Sequence, residues 1–115
     1  METFVMRQYM VDELRQEELD RIRRYLDLNC EASGLGGLYW LHIPETYLNK
    51  TQLEHKTCIP FCAAIETGGS WIKFEMLIRS RKKIRCDCVA FATSGQRQFI
   101  LEFADRLLLE NNIFV

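Results

Sequence analysis

The sequence predicts an α+β fold, a two-layer sandwich with a mainly antiparallel, four-stranded sheet and its N-terminal and C-terminal helices packed on one face. Three observations lead to this prediction. One segment near each end of the chain repeats apolar residues every three or four positions, as amphipathic helices do. Four central segments have the length and apolar content of strands. The last three of these are joined by connections too short for parallel crossovers, so they must run antiparallel.

The first helix is predicted from Asp12 to about Cys30, and the second begins at Thr93. Asp12 is a favoured N-cap, Gly34 suits the end of the first helix, and Thr93 with Gln96 matches a capping box. The apolar stripes are Leu19, Ile22, Leu26 and Cys30 in the first helix, and Phe99, Ile100, Phe103, Ala104, Leu107 and Leu108 in the second. The first ten residues fit either a short strand or an extension of the helix.

The first strand is predicted over residues 37–43, which are rich in aromatic side chains and lie between glycines and a proline. A short helical turn is expected at residues 51–54, where Thr51 and Glu54 match a capping box. Residues 59–66 and 71–79 are predicted to form a hairpin with Gly68-Gly69 as its tight two-residue loop. That register pairs Ile65 with Ile72, Ala63 with Phe74, Phe61 with Met76, and Ile59 with Ile78.

The last strand is predicted over residues 84–92, after a short connection. Its even positions are small or apolar and should face the helices; they are Ile84, Cys86, Cys88, Ala90 and Ala92. The predicted core consists of Phe61, Ile65, Ile72, Phe74, Met76, Ile78, Cys86, Cys88, Phe99, Phe103 and Leu107.

Length and composition favour one globular domain over residues 1–115. The chain has 48% hydrophobic and 27% charged residues, and its net charge is -1. A global attraction to nucleic acid or to an anionic membrane is therefore not expected. The sequence has no apolar run long enough for a membrane span and starts without the features of a signal peptide. Together with five irregularly spaced cysteines, this predicts a cytoplasmic protein.

The outer face of the sheet, away from the helices, gives the leading functional hypothesis. It should carry an unusually apolar set of residues for a solvated surface, namely Trp71, Leu77, Val89 and Phe91. A non-enzymatic domain acting through protein contact, most simply as a homodimer joined through this face, fits that pattern. Cover by the chain itself and a small-molecule groove are the alternatives.

A basic hairpin loop gives the second hypothesis, a nucleic-acid-binding module. Five positive charges fall within seven residues: Arg79, Arg81, Lys82, Lys83 and Arg85. Such a loop can contact phosphates, and nearby aromatic rings could stack on bases. A solvated turn that discourages edge-to-edge aggregation explains the same charges, so nucleic acid is not the expected partner.

Cysteines give the third hypothesis, a metal or redox protein that uses Cys58, Cys62, Cys86 and Cys88. Cys58 and Cys62 have a ligand-like spacing, and His55 lies just before them. The hairpin register, however, places Cys62 on the face opposite Cys86 and Cys88. Core packing of free cysteines is therefore the expectation, with no metal and no cofactor. His42 and His55 have no nucleophile at a recognisable spacing, so an enzyme is not expected.

Overall fold

The computed structural model describes residues 6–83 and 86–114. It confirms the α+β fold: two long helices pack on one face of a mostly antiparallel sheet. The helices are α1 (Gln16–Asn29), α2 (Lys50–Glu54) and α3 (Ser94–Glu110), and the strands are β1 (Gln8–Val11), β2 (Glu31–Ala32), β3 (Leu38–His42), β4 (Phe61–Thr67), β5 (Ile72–Glu75), β6 (Leu77–Ser80) and β7 (Ala90–Phe91).

The sheet has seven strands rather than four. The strand order is β1-β5-β4-β3-β2. Strand β6 pairs with the start of β4 on one side and with β7 on the other. Strands β5 and β6 are two parts of one bent strand, interrupted at Met76. The backbone N–H of Met76 donates to the Arg7 carbonyl, and the Met76 carbonyl accepts from the Ala92 N–H. Hydrogen bonds to two neighbouring segments therefore hold this bend. The sequence left the conformation of the first ten residues open. Residues 8–10 lie in the edge strand β1, and residues 1–5 lie outside the described residues.

The core lies between the sheet and the two long helices. Helix α1 contributes Leu19, Ile22 and Leu26, which are fully buried, and the stripe of α3 packs beside them. All predicted core residues belong to this cluster, with Phe99 and Cys86 partly buried at its margin. Each fully buried large side chain contributes about 1.5–3 kcal/mol relative to exposure. Among the residues described, no helix is both long and apolar enough to cross a bilayer.

Helix α1 begins four residues later than predicted. Glu13 has a left-handed backbone, with φ of 59°, which interrupts any helix that starts at Asp12. Arg15 is the N-cap instead, and its backbone N–H donates to the Glu18 carboxylate at 2.8 Å. The helix ends at Asn29 and is followed directly by β2, so Gly34 does not cap it.

The predicted hairpin exists, but its register is wrong by two residues. Ile65 lies opposite Phe74, and Ile72 lies opposite Thr67, so the loop contains four residues rather than two. Gly68 is needed for a different reason than positive φ: a Cβ there would overlap the ring of Trp71. Because the shift is two residues, each side chain stays on its predicted face.

The strand predicted over residues 84–92 is wrong except at its end. Only β7, residues 90 and 91, pairs with β6. Ile84 lies outside the described residues. Cys86 and Cys88 lie in a turn, in which the N–H of Val89 donates to the Cys86 carbonyl at 3.1 Å. Two thiols predicted to point from a strand into the core are therefore presented from a turn.

Candidate metal centre

Four ligand-type side chains meet beside this turn. One nitrogen of His55 and the sulfur atoms of Cys58, Cys86 and Cys88 all lie within 4.8 Å of one another. The Cys86 sulfur is central: it lies 3.0 Å from His55 Nδ1, 3.3 Å from Cys58 Sγ and 2.8 Å from Cys88 Sγ. All five cysteines of the chain are free thiols. The cluster therefore places three sulfur atoms and one nitrogen around a common centre.

Local backbone structure brings each pair of ligands together. His55 ends α2, and the following 3₁₀ turn, Lys56–Cys58, directs the next ligand back beside it. The Cys58 N–H donates to the His55 carbonyl at 2.9 Å, which closes this turn. The turn at Cys86 and Cys88 supplies the second pair. Two short turns from distant parts of the chain therefore form the cluster.

Neighbouring side chains hold the backbone of both turns. The Ser80 hydroxyl, at the end of β6, donates to the Cys58 carbonyl at 2.5 Å. The Gln52 amide donates to the Cys88 carbonyl at 3.3 Å. Gln52 has no exposed surface although it is polar, so its bonds are formed without competition from water. The ligands are supported by partners that do not themselves belong to the cluster.

Gln52 belongs to a buried pair of glutamines that joins α2 to α3. Each glutamine is the third residue of a capping box, with Asn49 as the N-cap of α2 and Thr93 as the N-cap of α3. The Gln96 amide donates to Gln52 Oε1 at 2.8 Å and to the Tyr47 carbonyl at 2.9 Å. The box predicted at α3 is therefore confirmed. The box at α2 is formed by Asn49 and Gln52 rather than by Thr51 and Glu54.

Protonation in the cluster is uneven. The pKa of Cys86 is lowered to about 6, because the thiol and backbone N–H of Cys88 donate to its sulfur, with further donation from Cys58 and His55. Burial and the bond to Cys86 raise the pKa of Cys88 to about 12. These donors stabilise the negative charge of a Cys86 thiolate, as a bound cation would also do.

The separations are close to those of a tetrahedral zinc site. Zinc–sulfur bonds of about 2.3 Å place two sulfur ligands about 3.8 Å apart. The three contacts made by Cys86 are 2.8–3.3 Å, and no pair of ligand atoms exceeds 4.8 Å. Opening the cluster by about an ångström at Cys86 would accommodate the ion. Cys58 and Cys88 are buried, whereas His55 and Cys86 are partly exposed, which leaves a route for metal entry.

Cys62 and Cys30 do not belong to the cluster. Cys62 lies opposite Arg79 in the sheet and is fully buried, and burial raises its pKa to about 12. Burial likewise raises the pKa of Cys30 to about 12. The sequence-based metal hypothesis therefore contained three of the four clustered residues and had Cys62 in place of His55. The spacing His55-x₂-Cys58 together with Cys86-x-Cys88 was the available signal. It was not recognised as a ligand set because Cys86 and Cys88 were predicted to lie on a strand and face the core.

The residues predicted for a protein interface lie on the outer face. Leu77 and Phe91 are directly opposite each other on β6 and β7, and Phe91 is 38% exposed. Trp71 and Val89 are partly buried, and the Trp71 ring covers Gly68. Lys73 and Glu66 form an ion pair on the same face at 3.2 Å.

The basic residues are divided between paired and unpaired groups. Arg79 contacts Glu75 and Arg81 contacts Glu31, each at 2.7 Å. Lys82 and Lys83 are exposed and make no ion pair with any residue that the structure describes. Arg85, the fifth predicted residue, lies outside the described residues.

His42, the second histidine, lies apart from the metal cluster. Its Nε2 is 2.7 Å from Glu31, which also accepts from Arg81. Both partners are substantially exposed. This arrangement is a surface charge network. Cys62 lies opposite His42 in the sheet, but no hydrogen bond joins the two side chains in the part of the chain that the structure describes.

No protein-family model, curated protein or solved structure matches this chain.

Proposed function

We propose that this protein is a small, non-enzymatic domain that binds one zinc ion as a structural element. The ligands are His55, Cys58, Cys86 and Cys88. One observation carries the proposal: four ligand atoms, from two segments far apart in sequence, lie within 4.8 Å of one another. This replaces the sequence-based expectation of no metal.

The donor set favours zinc over other ions. Three soft sulfur ligands and one imidazole disfavour Mg²⁺ and Ca²⁺, which prefer oxygen, and a four-ligand tetrahedral site of this composition is typical of zinc. Four protein ligands fill the coordination sphere and leave no position for a reacting water. The ion would therefore stabilise the fold rather than catalyse a reaction.

Metal content and matched cysteine variants test the proposal. Protein purified without chelator, or refolded with stoichiometric zinc, should contain one zinc per chain by elemental analysis. Cys58→Ser and Cys88→Ser should lose most of it, while Cys62→Ser should keep it. The last variant is a matched control because Cys62 is as buried as the two ligands. Cobalt substitution should give the absorption bands of a tetrahedral thiolate site in the wild type and in Cys62→Ser only.

Two results would contradict this function. One is wild-type protein that takes up no zinc or cobalt after refolding under reducing conditions. The other is equal loss of metal from Cys58→Ser and Cys62→Ser, because that would reflect general unfolding. A metal-free protein whose Cys86 and Cys88 oxidise to each other reversibly would support the redox alternative instead.

Five free thiols also fit a compartment that keeps cysteines reduced, so the prediction of a cytoplasmic protein is retained within the proposal.

Self-association through the outer face is the second candidate function. Its supporting observation is the adjacent apolar pair Leu77 and Phe91 on the outer face, of which Phe91 is 38% exposed. Sedimentation of the wild type should then show a dimer that Trp71→Asp converts to a monomer. A wild-type monomer at millimolar concentration would end this hypothesis.

A further inference from the structure

A small basic groove lies next to the candidate metal centre, on the outer side of the sheet. Its volume is about 210 Å³, and Trp40 and Val89 form its apolar walls. The polar lining comes from the end of β6 and the loop that follows it, and consists of Arg79, Ser80, Arg81, Lys82 and Lys83. Four cationic side chains thus border one concavity.

The loop that carries these cations is fixed by hydrogen bonds. The Ser80 hydroxyl accepts from the backbone N–H groups of Lys82 and Lys83 at 3.1 and 3.0 Å while it donates to Cys58. The Arg81 N–H donates to the Pro60 carbonyl at 2.9 Å. The two lysines therefore project from a formed turn, which lowers the entropy lost when they bind an anion.

Charge in the groove exceeds what its protein partners neutralise. Glu75 and Glu31 pair with the two arginines, which leaves the charges of Lys82 and Lys83 unmatched among the described residues. The Nε atoms of Arg79 and Arg81 are buried and have no hydrogen-bond acceptor among the residues that the structure describes. Because an unsatisfied buried donor is unfavourable, an incoming oxygen that lets these side chains reorient is favoured.

Cation–aromatic pairs extend from the groove across the outer face. The Arg81 guanidinium lies 4.7 Å from the Trp40 ring centre, and Lys73 lies 5.8 Å from that of Trp71. A guanidinium plane on an aromatic ring is a surface on which nucleic-acid bases stack. Phosphate-binding cations beside stacking surfaces are the combination that single-stranded nucleic acid requires.

We infer that this groove and the adjoining sheet face bind single-stranded nucleic acid, with a backbone phosphate between Lys82 and Lys83 and a base against the Arg81–Trp40 pair. Because the chain as a whole is nearly neutral, the affinity is modest and depends strongly on salt. The inference does not rest on the zinc proposal, because the hydrogen bonds of Ser80 and Arg81 that hold the loop are made to protein groups and not to a metal.

Fluorescence anisotropy with labelled oligouridine and oligothymidine of about 12 nucleotides tests the inference. At about 50 mM salt the wild type should bind, and Lys82→Ala/Lys83→Ala should bind roughly tenfold more weakly. The slope of log K against log salt should fall by about 0.7, because the phosphate between the two lysines is no longer neutralised. Arg24→Ala/Lys50→Ala, which removes the same charge from exposed positions elsewhere, should bind as the wild type does.

Zinc content, measured on each variant, separates this test from the metal proposal. Equal binding by the lysine variant and the control variant would overturn the inference, because attraction would then be unspecific. No binding by zinc-loaded wild type at low salt would also overturn it. Binding of inorganic phosphate with no binding of either oligonucleotide would show a small-anion site and refute the assignment to nucleic acid.

Discussion

Replacing Gln96 with leucine removes the side chain that joins α3 to α2 and keeps nearly the same volume. Three hydrogen bonds are lost: the amide donates to Gln52 at 2.8 Å and to Tyr47 at 2.9 Å, and its oxygen accepts from the Thr93 N–H at 2.9 Å. Each contributes about 1 kcal/mol net, so the free energy of unfolding should fall by about 3 kcal/mol.

Urea unfolding followed by circular dichroism measures this loss. With an m-value of about 2 kcal/mol/M, the midpoint should move down by about 1.5 M. Gln98→Leu is the matched control, because Gln98 lies on the same helix, is exposed and, among the described residues, bonds only Glu102, at 3.1 Å. Its effect should stay within about 0.5 kcal/mol. If Gln96→Leu cost no more than Gln98→Leu, the buried glutamine pair would not support the fold as argued.

Two further predictions concern the hairpin loop and a surface carboxylate. Gly68→Ala should shift the NMR signals of the Trp71 indole and lower the free energy of unfolding by about 1–3 kcal/mol, because the new Cβ overlaps the ring. Gly69→Ala is the control: a Cβ at Gly69 meets open space, so this variant should be neutral. Unchanged indole signals in Gly68→Ala would contradict the packing of Trp71 on Gly68. The hydrogen bond from Arg81 lowers the pKa of Glu31, so its contribution to stability is present above the ordinary carboxyl pKa and is lost as the pH falls through the lowered value. Arg81→Met should raise the Glu31 titration midpoint seen by NMR, and an unmoved midpoint would exclude the ion pair in solution.

Periodicity predicted the fold because side-chain patterns determine which face is buried. The apolar alternation around Ile65 and Phe74 places both in the core for either register, so an error of two residues in the loop left the layers unchanged. Sequence could not fix the loop length, because Gly68-Gly69 suits a two-residue turn equally well. The packing of Trp71 against Gly68, which only the folded chain displays, favours the longer loop.

The metal cluster was harder to predict because it depends on irregular backbone. Even-numbered positions from Cys86 onward match a strand pattern, and nothing local in the sequence shows that this segment turns. His55 and Cys58 come from the end of α2 and the 3₁₀ turn that follows it, while the turn at Cys88 is held by Gln52, a residue with no periodic signal. Residue types alone identified three of the ligands. That these side chains lie close together could be seen only in the tertiary structure.

The two halves of the cluster lie at the two ends of the chain segment that forms β4, β5 and β6. Cys58 precedes β4 and Cys86 follows β6, with a separation of 28 positions. A bound ion would cross-link the two ends of this segment and remove fraying as a route for exchange with solvent. Amide protons of β4, β5 and β6 should then exchange together, at one common rate set by release of the metal or by complete unfolding. In the metal-free protein the same strands would open separately, beginning at β6.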